Sequence, residues 1–151
     1  MLKKVFLSAL VLYMLQSREA MAQFVNLEGN NPDITEYVEA NEENWNKPIM
    51  YVFYSNAPCP MCSEAMGMIY NIYEQYYADD FSYFEINYTD EGEFGMQESY
   101  GLTQPLSLVL VRIQDGQSRG YYKLENPQNF LDDEFYFKRR LLYEINNFLA
   151  T

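Results

Sequence analysis

The sequence of 151 residues carries 22 acidic and 10 basic side chains, two cysteines and no histidine, so its formal charge is −12. Such acidity argues against nucleic acid as a partner, because phosphate binding requires a basic surface. The lack of histidine removes the commonest general base and metal ligand, and any chemistry must use other side chains.

The first residues have the pattern of a secretory signal peptide. Lys3 and Lys4 precede an apolar stretch at residues 5–15, and Ala-Met-Ala at residues 20–22 forms a small-residue cleavage site. The apolar stretch is shorter than the roughly 20 residues that a membrane-spanning helix needs. We therefore expect cleavage between Ala22 and Gln23. The mature chain would be a periplasmic or secreted monomer with one domain, residues 23–151, and no membrane span.

The next patterns predict a helix and then a buried strand. Asn31 and Pro32 suit the N-cap and first turn of a helix that ends near Trp45. Residues 48–54 form a short apolar and aromatic run, which is typical of a strand buried on both faces. The sequence Ser-Asn-Ala-Pro at residues 55–58 ends this strand.

The two cysteines open a second predicted helix. From Cys59 onward, apolar residues recur at intervals of three and four, the spacing of an amphipathic helix. These residues are Met61, Cys62, Ala65, Met66, Ile69, Ile72, Tyr73 and Tyr76. The pattern places both cysteines at a strand-to-helix junction.

The second half of the chain predicts a strand, a hairpin and a closing helix. Residues 81–88 alternate as a strand, and the acidic residues 90–100 form a short helix or a loop. Two apolar runs, residues 106–113 and 121–124, flank Asp115-Gly116 and predict an antiparallel hairpin. Asp132 and Asp133 can cap the closing helix, whose apolar face contains Phe137, Leu141, Ile145, Phe148 and Leu149.

The resulting order, α-β-α-β-α-β-β-α, predicts an α/β fold with three layers, α/β/α, and a mixed central sheet. Two segments carry a resemblance to a known family. Asn46-Lys47-Pro48-Ile49-Met50-Tyr51-Val52-Phe53 is similar to the lysine-proline start of the buried strand in thioredoxins. Tyr100-Gly101-Leu102 is similar to their Tyr-Gly-Ile/Val segment. The resemblance covers most of residues 31–149 and implies a thioredoxin-like fold.

The spacing of Cys59 and Cys62 suits reversible disulfide chemistry. The first sulfur lies at a helix N-terminus, where amide groups and the helix dipole stabilise the reactive thiolate. This position predicts Cys59 as the nucleophile and Cys62 as the resolving thiol of a thiol-disulfide oxidoreductase. No bound cofactor is needed, and protein dithiols or disulfides and a redox partner protein are the expected partners.

Two other interpretations of the cysteine pair are possible. The same spacing serves zinc, but zinc normally takes four ligands, and the chain has no histidine and no further cysteine. We therefore expect no metal. A purely structural disulfide is typical of exported proteins. So short a loop, however, restrains the unfolded chain little.

The resemblance also implies substrate contacts. Proline directly after the first cysteine resembles the glutaredoxin and bacterial disulfide-oxidase pattern, which places Pro60 and Met61 at the substrate, with Ala57 and Pro58 completing an apolar rim. The family's cis-proline, which faces the cysteines, falls on Pro105 with Gln104 before it, if one residue is deleted. Otherwise Pro105 is trans and starts an edge strand.

Two features depart from the family. The buried aspartate that helps deprotonate the resolving cysteine has its place at Val52 or Phe53, neither of which accepts a proton. A fainter resemblance connects the chain to small exported thioredoxin-like proteins labelled as nitroreductase subunits, although nothing in the sequence could hold a flavin. The alternative to an enzyme is a thioredoxin-fold binding or adaptor module with a structural Cys59-Cys62 disulfide.

Overall fold

The computed structural model of the chain describes residues 24–26 and 46–151. The predicted signal peptide and the predicted first helix, which ends near Trp45, lie outside the described residues. The strand, helices and hairpin predicted after Pro48 all lie within them.

A five-stranded mixed sheet forms the centre of the described structure. Its strands are β1 (Phe24–Asn26), β2 (Ile49–Tyr54), β3 (Ser82–Asn87), β4 (Leu106–Gln114) and β5 (Gln117–Glu125). Their order across the sheet is β1-β5-β4-β2-β3. Strands β2 and β3 are parallel, whereas β4 is antiparallel to both β2 and β5, and β1 is antiparallel to β5. The mixed sheet and its terminal hairpin are therefore confirmed, and β1 is an edge strand that the sequence patterns did not predict.

Within the described residues, three α-helices flank this sheet. They are α1 (Cys62–Ile72), which continues into a π-helical turn at Tyr73–Tyr77, α2 (Phe94–Tyr100) and α3 (Glu134–Ala150). A 3₁₀ turn at Pro127–Phe130 connects β5 to α3. The acidic stretch thus contains a short helix, and the closing helix begins after Asp133, whose side chain caps it. Among the described residues, no helix combines the length and the apolarity that crossing a membrane requires.

Alternation along the strands builds one apolar core on each face of the sheet. Even-numbered residues of β2, such as Met50 and Val52, pack with α1 and α3, and we call this the α1/α3 core. Odd-numbered residues, such as Tyr51 and Phe53, pack with α2 in what we call the α2 core. The helices therefore cover both faces, which confirms the predicted three layers.

Strand directions define the edge of the sheet where the cysteines lie. Tyr54 at the end of β2 pairs with Leu106 at the start of β4, and Ser107 pairs with Glu125 at the end of β5. The loop from β2 to α1, the start of β4 and the 3₁₀ turn after β5 therefore share one end of the molecule.

Candidate functional site

Cys59 and Cys62 form a disulfide in the loop that joins β2 to α1. Their Cα atoms are 5.4 Å apart, and the backbone N–H of Cys62 donates a 3.3 Å hydrogen bond to the carbonyl oxygen of Cys59. Cys62 is the first residue of α1. The structure therefore brings the two predicted redox residues together at the strand-to-helix junction.

The two sulfurs have different surroundings. Cys59 is partly exposed, whereas Cys62 is only 8% exposed and belongs to the α1/α3 core. Pro60 and Met61, which lie between them, are exposed, and Met61 retains 40% of its accessible surface. A macromolecule approaching this loop would meet Cys59 before Cys62.

Apolar residues on both sides of Cys59 form a rim around this partly exposed cysteine. Ala57 and Pro58 are both exposed, as are Pro60 and Met61. The four side chains carry no charge, so this rim offers van der Waals contact and no ion pairing. Such a surface suits contact with apolar side chains of another polypeptide.

Three successive backbone N–H groups fix the loop before the disulfide. Ser55 donates to the carbonyl oxygen of Pro105 at 3.2 Å, and Asn56 donates to Thr89 Oγ1 at 3.2 Å. Ala57 donates to Ser55 Oγ, also at 3.2 Å. The next residue, Pro58, has no N–H group and has a restricted φ angle. The loop therefore bonds to the turn after β3, to the residue before β4 and to itself.

The peptide bond before Pro105 is trans, since the described residues contain no cis peptide bond. The expected cis-proline is therefore wrong. Pro105 directly precedes Leu106, which pairs with Tyr54, so the extended chain runs straight into the ladder of β4. The alternative, a trans Pro105 at the start of a strand, is confirmed. The strand is not an edge strand, however, because β4 lies between β2 and β5.

Gln104 and Pro105 support the loop through their carbonyl groups. Gln104 accepts a 2.8 Å hydrogen bond from the Tyr88 hydroxyl, and Pro105 accepts the bond from Ser55. The side-chain oxygen of Gln104 also accepts from Asn126 Nδ2 at 3.0 Å. Both backbone carbonyls therefore accept a hydrogen bond from within the chain.

The strand register decides which residue takes the place of the family's buried acid. Val52 lies in the α1/α3 core together with Cys62, whereas Phe53 faces the α2 core on the other side of the sheet. Val52 is fully buried at 0% exposure. Strand β2 therefore presents an aliphatic side chain, not a carboxylate, to the face where Cys62 is buried.

The buried carboxylate of the described structure is Glu144, which lies away from the sulfurs. It accepts from the Tyr122 hydroxyl and from Arg140 Nε, the latter at 2.9 Å. Tyr122 pairs with Leu110 of β4, which in turn pairs with Met50 of β2. Met50 lies four residues before Tyr54, the end of β2. That separation is about 13 Å along the strand. Glu144 therefore anchors α3 on the sheet at the level of Met50, away from the end of β2 that leads to the disulfide.

Other features give no separate ligand site near the disulfide. Within residues 24–26 and 46–151, no group of three or more cysteine, aspartate or glutamate side chains is arranged to hold a metal ion. A shallow cavity of about 230 Å³ lies between Pro48, Ile113 and Phe148, at the opposite end of the sheet.

Sequence patterns missed the polar residues that hold the loop. Asn87, at the end of β3, donates to Asn56 across 31 residues, and Thr89 accepts from the Asn56 backbone. Asparagine and threonine at the ends of strands are ordinary turn residues. No local sequence pattern shows whether such a residue only forms a turn or also binds a distant loop.

Comparison with known proteins gives similarity only at the level of solved structures. No protein-family model matches the sequence, and no curated protein matches it. The chain is similar to thioredoxin f2 of Chlamydomonas reinhardtii at 12% identity and a TM-score of 0.43, over 60% of this chain and 78% of that one. Mitochondrial thioredoxin 3 of Saccharomyces cerevisiae gives 19% identity and a TM-score of 0.41, over 58% and 74% of the respective chains.

The class of protein follows from the topology of the chain itself. A parallel β2-α1-β3 unit, followed by an antiparallel hairpin and a closing helix, with the order β3-β2-β4-β5, defines a thioredoxin-like fold. The disulfide lies between the end of β2 and the start of α1, where the resemblance in sequence places the redox pair.

Proposed function

We propose that this protein is an exported thiol-disulfide oxidoreductase that exchanges disulfides with protein substrates through Cys59 and Cys62. The observation that carries the proposal is the asymmetry of the pair, with Cys59 partly exposed before α1 and Cys62 buried at its first residue. Exchange needs one sulfur that a substrate can reach and a second that attacks only from within.

The reaction conserves electrons between two disulfides. In the reduced protein, the Cys59 thiolate attacks one sulfur of a substrate disulfide, forms a mixed disulfide and releases the other substrate sulfur as a thiolate. The Cys62 thiolate then attacks the Cys59 sulfur, which forms Cys59-Cys62 and releases the second substrate sulfur. The two electrons of the protein dithiol pass to the substrate, and the reverse sequence oxidises a substrate dithiol.

The surroundings of the disulfide support a polypeptide substrate. The rim of Ala57, Pro58, Pro60 and Met61 is exposed and uncharged, so it can contact an extended chain on both sides of Cys59. A redox partner protein would use the same face, because Cys59 is the sulfur that it must reach. No bound cofactor enters the exchange.

Export is the second part of the proposal. The charged start, the apolar stretch and the Ala-Met-Ala site at residues 20–22 support cleavage between Ala22 and Gln23. Strand β1 begins at Phe24, so this cleavage would leave every described residue in the mature chain. Mass measurement of the protein from the periplasm or medium tests it, and an uncleaved chain in the cytosol would contradict it.

A redox titration of the purified protein against glutathione tests the proposed chemistry. Alkylation and mass measurement at each ratio report the thiol state, and the single variants Cys59→Ser and Cys62→Ser assign the alkylated sulfur. We expect a reversible midpoint between about −270 and about −120 mV, the range of thioredoxin-like proteins. Cys59 should be alkylated before Cys62.

A non-catalytic binding module is the second candidate, and Val52 favours it. Because Val52 has no carboxylate, no side chain of β2 on the face of Cys62 can assist the resolving step. If the protein is a binding module, the Cys59-Cys62 disulfide should stay oxidised in strongly reducing buffers, or Cys59 should be inert once reduced. Either result would replace the exchange enzyme by an adaptor with a structural disulfide.

A further inference from the structure

The loop that carries Cys59 is held by a cluster of three polar residues outside the disulfide itself. Asn87 Nδ2 donates to Asn56 Oδ1 at 2.7 Å, and Asn56 N donates to Thr89 Oγ1 at 3.2 Å. The Thr89 hydroxyl in turn donates to Asn87 Oδ1 at 2.6 Å, and Thr89 N donates to the same oxygen at 3.1 Å. We call Asn56, Asn87 and Thr89 the amide clamp.

The clamp closes on itself and spans two parts of the chain. Asn87 is the last residue of β3 and Thr89 lies in the turn after it, whereas Asn56 lies three residues before Cys59. Every side-chain group of Asn87 is used, since its amide nitrogen binds Asn56 and its oxygen binds Thr89. Hydrogen bonds that share partners in this way restrict the geometry more than separate bonds would.

The position of Cys59 depends on this restriction. Its thiolate gains stabilisation from the unpaired amides and the dipole at the start of α1, and that effect falls off within about one turn of helix. When the disulfide opens, the covalent link to Cys62 no longer holds Cys59 there. The chain before Cys59, which is fixed at Asn56, must then hold Cys59 at the start of α1. Pro58 and Pro60, the two neighbours of Cys59, limit its movement further.

We propose that Asn87 and Thr89 are positioning residues for Cys59, which act through Asn56 to keep the reduced nucleophile at the start of α1. This inference rests on the proposed exchange function and identifies what sets the reactivity of its nucleophile. Neither residue is proposed to contact the sulfur or the substrate. The loop contains no histidine or lysine whose charge could stabilise the thiolate, so the stabilisation depends on where the clamp holds Cys59.

The test measures the rate of alkylation of Cys59 by iodoacetamide in the reduced protein, from pH 5 to pH 9. Thr89→Val removes the hydroxyl with little change of shape, and Asn87→Ala removes both amide groups. We expect both variants to react at least about threefold more slowly at pH 7. The pH at which the alkylation rate is half its maximum should rise in both variants, toward the ordinary thiol pKa of about 8.5.

Two control variants separate positioning from general loosening. Thr89→Ser keeps the hydroxyl and should restore the rate and the pH profile. Asn46→Ala removes a similar support, the 3.1 Å bond from Asp115 N to Asn46 Oδ1, at the opposite end of the sheet. It should leave Cys59 unchanged. A wild-type profile in both Thr89→Val and Asn87→Ala, or equal slowing by Asn46→Ala, would overturn the proposal.

The outcome remains decisive if Asn87→Ala does not fold. Thr89 is exposed, so Thr89→Val retains the apolar core and decides the question by itself. Failure of the exchange function would show differently, because the wild-type protein would then have an inert Cys59 or no reversible midpoint. A reactive wild-type Cys59 with an unaltered profile in Thr89→Val would reject the clamp alone.

Discussion

The hydroxyl of Tyr88 donates a 2.8 Å hydrogen bond to the backbone carbonyl oxygen of Gln104. Tyr88 is 4% exposed and its ring packs in the α2 core, so the bond ties the segment before β4 to the sheet. At the next residue, the carbonyl of Pro105 accepts from Ser55. This segment supports the loop of the disulfide, and its Pro105 is trans.

Tyr88→Phe should lower the free energy of unfolding by about 1 kcal/mol, because the Gln104 carbonyl loses its donor while the ring stays packed. Urea unfolding of the oxidised protein measures this loss. Tyr76→Phe removes a hydroxyl from a side chain that is 43% exposed, and it should change stability by less than about 0.5 kcal/mol. Equal losses in the two variants would contradict the role of the buried bond.

Cys62→Ser should accumulate a mixed disulfide with a protein substrate, whereas Cys59→Ser should not. The exposed sulfur of Cys59 can still attack, but without the buried thiol the intermediate has no internal route of release. Non-reducing electrophoresis and mass measurement detect the covalent complex. Cys59→Ser keeps one thiol and is the matched control. Complexes in equal amounts from both variants would refute the assignment of the nucleophile.

The sequence predicts the described elements well where periodicity is long. The buried strand, the helix after the cysteines, the first strand of the hairpin and the closing helix each carry an apolar pattern over six residues or more. Strand β1 covers only three residues, Phe24–Asn26, and forms by backbone pairing with β5, which leaves no comparable pattern.

The candidate site is predictable only in part, since the rest depends on contacts between distant residues. The cysteine spacing and the helix start are local, and both appear in the structure. The choice between Val52 and Phe53 needs the register, because a shift of one residue moves a strand side chain to the other face. The clamp joins Asn56 to Asn87, and the conformation at Pro105 depends on pairing with β2.

Asp133→Ala should destabilise the protein by about 1 kcal/mol, whereas Asp132→Ala should have little effect. Asp133 Oδ1 accepts from the backbone N–H groups of Phe135 and Tyr136 at 3.0 and 3.1 Å, so it satisfies two free amides at the start of α3. Its neighbour Asp132 is an acid of the same charge and is also exposed. Thermal and urea unfolding measure both variants. A similar loss in each would indicate that charge near the helix, and not the cap, is responsible.

Glu144→Ala should cost about 3 kcal/mol, because it leaves the buried Tyr122 hydroxyl without its acceptor and removes the partner of Arg140. Glu144→Gln keeps an oxygen at the same place and should cost about 1 kcal/mol. Arg140 contributes less to this loss, since its side chain is 28% exposed and can turn to water. Urea unfolding compares the two variants, and an equal loss would show that the carboxylate charge is required and that the retained amide oxygen does not replace it.

The stability of the protein should fall at alkaline pH in a way that depends on Tyr122. Burial, and then the hydrogen bond to the Glu144 carboxylate, raise the pKa of Tyr122 above its ordinary value of 10.0. Above pH 10, the unfolded chain loses this proton while the native protein keeps it, so the free energy of unfolding decreases as pH rises. The decrease reaches about 1.4 kcal/mol by pH 11.

Tyr122→Phe cannot make this contribution, so its cost relative to the wild type should shrink by about 1.4 kcal/mol between pH 8 and pH 11. The comparison isolates one residue, because the other titrating groups are present in both proteins and their effects cancel in the difference. Urea unfolding at pH 8, 9, 10 and 11 gives the two curves. A cost that stays constant with pH would mean that Tyr122 is deprotonated as readily in the native protein as in the unfolded chain.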